Sequence, residues 1–92
     1  HTVITAVAVI NATGNKRVCK AEKTIVEFNP LSDEQIDAYI ATGEVWDKAG
    51  AYGIQGIGSI FVKRIDGCFF NVAGLPLSLL YHMLCQIGYS IL

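Results

Sequence analysis

Charge is scarce in this chain. Asp, Glu, Lys and Arg make up 16% of its 92 residues and sum to a net charge of −1. That leaves no basic face for nucleic acid and no electrostatic pull toward an anionic membrane. Long hydrophobic runs are missing as well. Val3–Ile10 and Ile87–Leu92 are the longest candidates, far short of the ~18 apolar residues that a spanning helix needs. The opening residues carry no charged leader before their apolar run and do not read as a secretory signal. Cysteine is limited to Cys19, Cys68 and Cys85. An odd number, widely spaced and without a Cys-x-x-Cys pair, argues against a disulfide framework and against a zinc site. The three are expected as buried or half-buried thiols in a reducing, cytoplasmic setting. Catalytic side chains are few. His1 and His82 are the two histidines, and His82 falls in a strongly apolar stretch where a packed histidine is the plainer reading. Ser32, Ser59, Ser78 and Ser90 have no nucleophile-elbow pattern around them. Asp33, Glu34 and Asp37 form a first-turn set that the helix dipole already explains. No complete active site is spelled out.

What the chain does have is apolar surface in excess. Its hydrophobic fraction is 52%, while a domain of this length buries only about 60–65% of its unfolded surface. We therefore expect one partial domain over residues 1–92, a piece of a larger core with apolar faces meant for something else.

Val3–Ile10 is β-branched and apolar on both alternating sets, which predicts a strand covered on both faces. After a turn at Asn11–Asn15, Arg17–Phe28 predicts a second strand nearer an edge, paired antiparallel to the first. Asn29-Pro30-Leu31 ends it. Ser32 then caps a helix with Gln35 closing a capping box, Leu31 and Ile36 form a staple, and Thr42-Gly43 stops it. Ser59–Ile65 alternates as a strand, Asp66-Gly67 is a two-residue hairpin signal, and Cys68–Val72 is the expected return strand. Pro76 opens a last helix, apolar enough to be buried on most sides, and Gly88 closes it. The expected order is β-β-α-loop-β-β-α.

The loop, Asp47–Gly58, holds four of the nine glycines. Glycine at that density allows close backbone approach to a ligand and positive φ. Gly53-x-x-Gly56-x-Gly58 matches neither the P-loop nor the dinucleotide fingerprint, and it leads into a strand where both of those lead into a helix. By its spacing alone the stretch reads first as a tight connection between elements. Lys48 could meet a phosphate as a point charge, or be a solvated loop lysine. Asp47 could hold a cation, pair with Lys48 or cap a turn. Gln55 is the more suggestive residue, because its amide offers both a donor and an acceptor to a base edge.

Asp47-Lys48-Ala49-Gly50-Ala51-Tyr52-Gly53-Ile54-Gln55-Gly56 resembles the signature of the Maf family of nucleoside triphosphate pyrophosphatases. His1-x-Val3-x-Thr5, the Pro30–Tyr39 helix with Thr42-Gly43-Glu44, and Asn71-Val72-x-Gly74-Leu75-Pro76-Leu77 with Leu80-Tyr81 resemble further blocks of that family in order. The tail after Ile87 falls outside the likeness. The resemblance implies an α/β (α+β, mixed-sheet) Maf/ITPase-like architecture. It also implies metal-dependent cleavage of a nucleoside triphosphate to the monophosphate and pyrophosphate, with Mg or Mn as the divalent cation. Gly-Ala-Tyr-Gly-Ile-Gln-Gly is similar to the dTTP/UTP branch, whereas the 7-methyl-GTP branch has an acid near the glutamine position. Gln55 carries over as the substrate-discriminating residue, and Asp47 and Lys48 as substrate or metal contacts or as local structure. The family's Ser-Pro-Arg-Arg loop and its Ala-Asp-Thr segment with the catalytic aspartate have no counterpart here. The expectation is thus a carboxy-terminal half with no catalytic residue of its own, inactive alone, with room for a homodimer through its exposed faces. The rival reading is a non-catalytic nucleotide-binding or interaction module.

Overall fold

Two strands and a two-way choice of where to bury them set the architecture. The computed structural model describes residues 1–92. Strand β1 (Thr2–Asn11) and strand β2 (Lys16–Phe28) form the expected hairpin, paired antiparallel from Thr2 opposite Ile25 to Asn11 opposite Lys16. Strand β3 (Val62–Asp66) adds antiparallel to the far end of β2, with a register shift at Glu27/Phe28. The sheet order is β1-β2-β3. Helix α1 (Asp33–Ala41) follows β2, and 3₁₀ turns at Glu44–Asp47 and Ile57–Phe61 bracket the glycine-rich loop. Helices α2 (Phe69–Ala73) and α3 (Leu77–Gln86) end the chain, which is an α+β arrangement.

Helix α1 starts as its sequence demands. The Gln35 amide donates to Ser32 Oγ at 3.1 Å, and the Ser32 amide donates to Gln35 Oε1 at 2.9 Å. This reciprocal pair satisfies two of the orphan donors of the first turn. Gly43 follows the helix at φ +80° and turns the chain back toward the sheet. Pro76 stands at the N-cap of α3, and Gly88, at φ +89°, lies just past its end.

Three expectations are corrected. First, β1 is an edge of this sheet and β2 is central, the reverse of the expected order. Ile4 and Ile10 of β1 are 64% and 65% exposed. An apolar ten-residue edge strand with unpaired backbone groups is something proteins normally cover, and nothing in this chain covers it. Second, Ser59–Ile65 is strand only from Val62, the residues before it forming the 3₁₀ turn. Third, Cys68–Val72 does not return as a strand, so the order is β-β-α-β-α-α rather than β-β-α-loop-β-β-α. The cause lies at Thr24. Gly67 crosses it so closely, at φ +129°, that a Cβ there would sit 2.9 Å from Thr24 Oγ1. That hydroxyl then accepts from the Cys68 amide at 3.1 Å and donates to the Cys68 carbonyl at 3.3 Å. Held there, the chain cannot pair with β3 and winds into α2 beneath the hairpin.

Helix α2 delivers Asn71, which is 1% exposed. Its Nδ2 donates to the carbonyls of Val3 at 3.1 Å and Glu22 at 3.3 Å and to Thr24 Oγ1 at 3.0 Å. One side chain thereby ties α2 to both strands of the hairpin. The core around it is small. Ten residues of 92 are buried, among them Val26, Tyr39, Phe61, Met83 and Ile87. Helix α3, expected to be buried on most sides, keeps Leu77 47% exposed. Cys19 and Cys85 are exposed and Cys68 is half-buried, so two of the three thiols expected inside are not. The radius of gyration is 16.7 Å, against about 12 Å for a compact chain of this length. The extents of 55 × 24 × 21 Å describe an elongated body.

Asn71→Ala would strand buried acceptors on β1 and β2. We expect it to lower stability by about 2–3 kcal/mol, read by urea denaturation of the complete natural polypeptide.

Candidate functional site

A cleft of about 680 Å³ opens where three segments meet. They are the entry to β1 (His1–Ile4), the loop from Glu44 to Gly56, and the end of α2 (Val72–Gly74). The volume lies in the range of small-molecule sites. Asp47, Lys48 and Gln55, the residues singled out from the sequence, all line it.

The loop is shaped from below by one carboxylate. Glu44, in the 3₁₀ turn after α1, accepts the Ile57 amide on Oε1 at 2.9 Å and the Gly58 amide on Oε2 at 3.0 Å. The same Oε2 accepts a short hydrogen bond from the Tyr39 hydroxyl. Tyr39, buried on α1, in turn accepts the Gly53 amide on its hydroxyl oxygen at 3.1 Å. One chain of hydrogen bonds therefore runs from Gly53 through Tyr39 to Glu44 and on to Ile57 and Gly58. The bond from Tyr39 is the main influence drawing the Glu44 carboxyl below its ordinary 4.5; partial desolvation opposes it, while the two amides and Lys48 add to it. Burial, reinforced by the bond to Glu44, raises the Tyr39 phenol above 10.0.

This network explains the glycines, and the reason differs from the one expected. None of Gly50, Gly53, Gly56 and Gly58 has positive φ; in this loop that conformation belongs to Ala51, at +62°. The requirement is space. A Cβ on Gly56 would overlap Glu44 Oε1 and lie 2.8 Å from its Cδ, and one on Gly58 would lie 2.7 Å from the Tyr39 hydroxyl. A Cβ on Gly53 would meet both Glu44 Oε1 at 3.2 Å and the Lys48 stem at 3.3 Å. The close approach that glycine permits here is to the protein's own acid.

The consequence for ligand chemistry is direct. The amides of Gly53, Ile57 and Gly58 are occupied by Tyr39 and Glu44, and those of Gly56 and Ser59 by the carbonyls of Gly53 and Gly56. These five are not open to a phosphate, whereas the amides of Ala49, Gly50, Tyr52, Ile54 and Gln55 make no hydrogen bond within the chain. Between Gly53 and Gly56, Ile54 and Gln55 are the central residues of a turn closed by the Gly56 amide donating to the Gly53 carbonyl at 3.2 Å. The exposed Gln55 side chain makes no hydrogen bond within the chain. Lys48 and Asp47 stand on the rim, their charged ends 4.0 Å apart and the carboxylate 83% exposed. A pair that open is worth little to stability, so both heads are available to a ligand.

At the strand end of the cleft, His1 and Tyr52 pack edge-to-face with each other and with Phe28, which lies outside the cleft lining, ring centres 5.0–5.3 Å apart. His1 Nε2 and the Tyr52 hydroxyl are 2.9 Å apart, and burial raises the Tyr52 phenol above 10.0. Carboxylate, cysteine and histidine side chains gather nowhere in threes as a metal would need. Asp47 and Glu44 are the carboxylates that line the cleft, and of the two Asp47 is the one without a backbone partner.

Sequence reasoning missed Glu44 and Tyr39. Tyr39 falls at helical spacing with Ile36 and Ile40 and reads as apolar packing, although a buried tyrosine hydroxyl needs a partner. Glu44, the first acid after the helix stop and just ahead of a glycine-rich run full of backbone donors, was the signal available.

Comparison with known proteins agrees with the block-by-block likeness. A model of the family described as Maf-like protein matches residues 1–87. A dTTP/UTP pyrophosphatase of Syntrophomonas wolfei is 53% identical over 92 residues, which is 100% of this chain and 49% of that protein. A dTTP/UTP pyrophosphatase of Caldicellulosiruptor saccharolyticus is 48% identical over 92 residues, all of this chain and 46% of its own length. One of Clostridium beijerinckii is 53% identical over 87 residues, covering 95% of this chain and 46% of that protein. The chain spans about half the length of the curated relatives it matches.

Because the Glu44 carboxyl titrates below 4.5 in the fold, its hold on the loop is complete above that value. The hold is lost as pH falls through the lower, folded value. The Ile57 and Gly58 amide proton resonances should therefore move together on acidification, with a midpoint below 4.5. Glu44→Gln should abolish that titration, and a midpoint at or above 4.5 would contradict the network.

Proposed function

This chain belongs to the Maf-like protein family, and on that premise we propose that it is the carboxy-terminal half of a nucleoside triphosphate pyrophosphatase. The complete enzyme cleaves dTTP, UTP and related pyrimidine nucleotides to the monophosphate and pyrophosphate. Within it this half is the wall that reads the base. The observation that carries the assignment is the Gln55 side-chain amide, which lines the cleft without a hydrogen bond inside the chain, on a turn whose flanks at Gly53, Ile57 and Gly58 are held by Tyr39 and Glu44. A primary amide offers one donor and one acceptor side by side, matching the adjacent acceptor and N–H of a thymine or uracil edge.

Lys48 serves as a mobile positive charge for the triphosphate, placed on the rim where it does not obstruct the base. The rings of His1 and Tyr52 line the strand end of the cleft, with Phe28 packed behind them. The reaction needs a base to activate water and charge to stabilise the leaving pyrophosphate. On the family likeness the first is assigned to an aspartate of the amino-terminal half. A divalent cation, Mg or Mn, supplies electrostatic stabilisation when bound with the triphosphate. Asp47 would contribute a carboxylate ligand to it, beside the oxygens of the triphosphate.

Gln55→Glu in the complete polypeptide replaces the amide donor with a second acceptor. We expect pyrimidine selectivity to fall by about 10-fold or more, the effect of one mispaired polar contact. The measurement is relative kcat/KM for dTTP and UTP against purine triphosphates, and unchanged ratios would remove Gln55 from its role.

A further inference from the structure

A turn that reads a base must be held at a fixed height, and here the holding is done from beneath. Both flanks of the turn are tied to one hydrogen-bonded pair. On one side the Gly53 amide donates to Tyr39; on the other the Ile57 and Gly58 amides donate to Glu44. Tyr39 and Glu44 are themselves joined. The fit is close, since Gly56 and Gly58 have no room for a Cβ against this pair and a Cβ on Gly53 would already be tight. Ile54 and Gln55, in the middle, take part in no hydrogen bond with the chain. Their position is inherited wholly from the anchors on either side.

We propose that Glu44, with Tyr39 as its partner, is a positioning residue for base recognition, acting on specificity through Gln55 rather than by contact with the nucleotide. Glu44 lines the cleft, but its carboxylate is committed to the loop first: Oε2 accepts from Tyr39 and Gly58 and Oε1 from Ile57. Charge-assisted hydrogen bonds are the stronger and geometrically tighter kind, so removing the charge loosens the anchor without emptying the space. The inference rests on the base-reading role of Gln55 proposed above.

The test is a double-mutant cycle in the complete natural polypeptide, with kcat/KM measured for dTTP and for dGTP. Glu44→Gln and Tyr39→Phe are each made alone and in a Gln55→Ala background. The ratio of the two kcat/KM values does not depend on the fraction of folded enzyme, so a variant partly lost to misfolding still reports. Glu44→Gln is expected to reduce the dTTP-to-dGTP ratio about tenfold, mostly through KM for dTTP. Tyr39→Phe is expected to act in the same direction but more weakly, because Glu44 keeps its bonds to Ile57 and Gly58. In the Gln55→Ala background neither substitution should move the ratio further. A clamp needed only for folding would lower kcat/KM equally for both nucleotides, with or without Gln55, and that result overturns the positioning role. Additive losses of selectivity overturn it as well, while leaving the role of Gln55 intact. An unchanged ratio in Gln55→Ala alone overturns the base-reading assignment and the positioning role together.

Discussion

The Glu44 carboxylate is the interaction on which the shape of the cleft depends. It sits at the end of a reversal begun by Gly43 and collects a phenol and two backbone amides. Through Tyr39 it reaches a third amide, at Gly53. A loop of small residues has high conformational entropy to lose on ordering. Here that loss is offset by a single charged acceptor that gathers three donors, in bonds stronger than neutral ones. The rest of the site follows from this. Gly53–Gly56 becomes a tight turn, Gln55 stands at its tip, and Lys48 lies with its stem against Gly53 and its charge at the rim.

The second constraint is the Thr24–Asn71 knot on the opposite side of the cleft. Thr24 holds both polar groups of Cys68, and Asn71 reaches the backbone of β1 and β2. These bonds bring the end of α2 against the entry to β1, where Val72–Gly74 face the glycine loop across the cleft. The two networks share no residue, yet each fixes one side of the same cavity. Around them the chain stays open. The free edge of β1, with Ile4 and Ile10 exposed, and the bare surface of Leu77 are faces that a chain this short cannot cover from its own resources.

Local signals in the sequence were legible where the structure depends on near neighbours. The hairpin of β1 and β2, the Ser32–Gln35 capping box, the Gly43 stop and the Pro76 and Gly88 boundaries of α3 all stand as read. Legibility failed where a long-range bond decided the outcome. Asp66-Gly67 has the form of a hairpin turn, but Thr24 lies across the path of Gly67 and captures Cys68, so a helix forms instead of a strand. The pattern of β1 was read as a doubly covered strand, and only its pairing reveals it as an edge. At the site, Asp47, Lys48 and Gln55 were found because side-chain chemistry is visible in sequence. Glu44 and Tyr39 were not, because what they do is accept backbone amides 13 or 14 positions further on. The glycines were noticed for the right property, close approach, and assigned the wrong neighbour.

The central claim is that the Gln55 amide meets the base. The most direct measurement follows the side-chain NH₂ resonances of Gln55 in the ¹⁵N-labelled complete polypeptide while a non-hydrolysable dTTP analogue is added. The account predicts that both Gln55 side-chain protons shift and saturate with the analogue, and shift far less with the matching dGTP analogue at equal occupancy. If the analogue binds and moves other resonances while the Gln55 side chain stays where it was, the base is read elsewhere and the account is wrong.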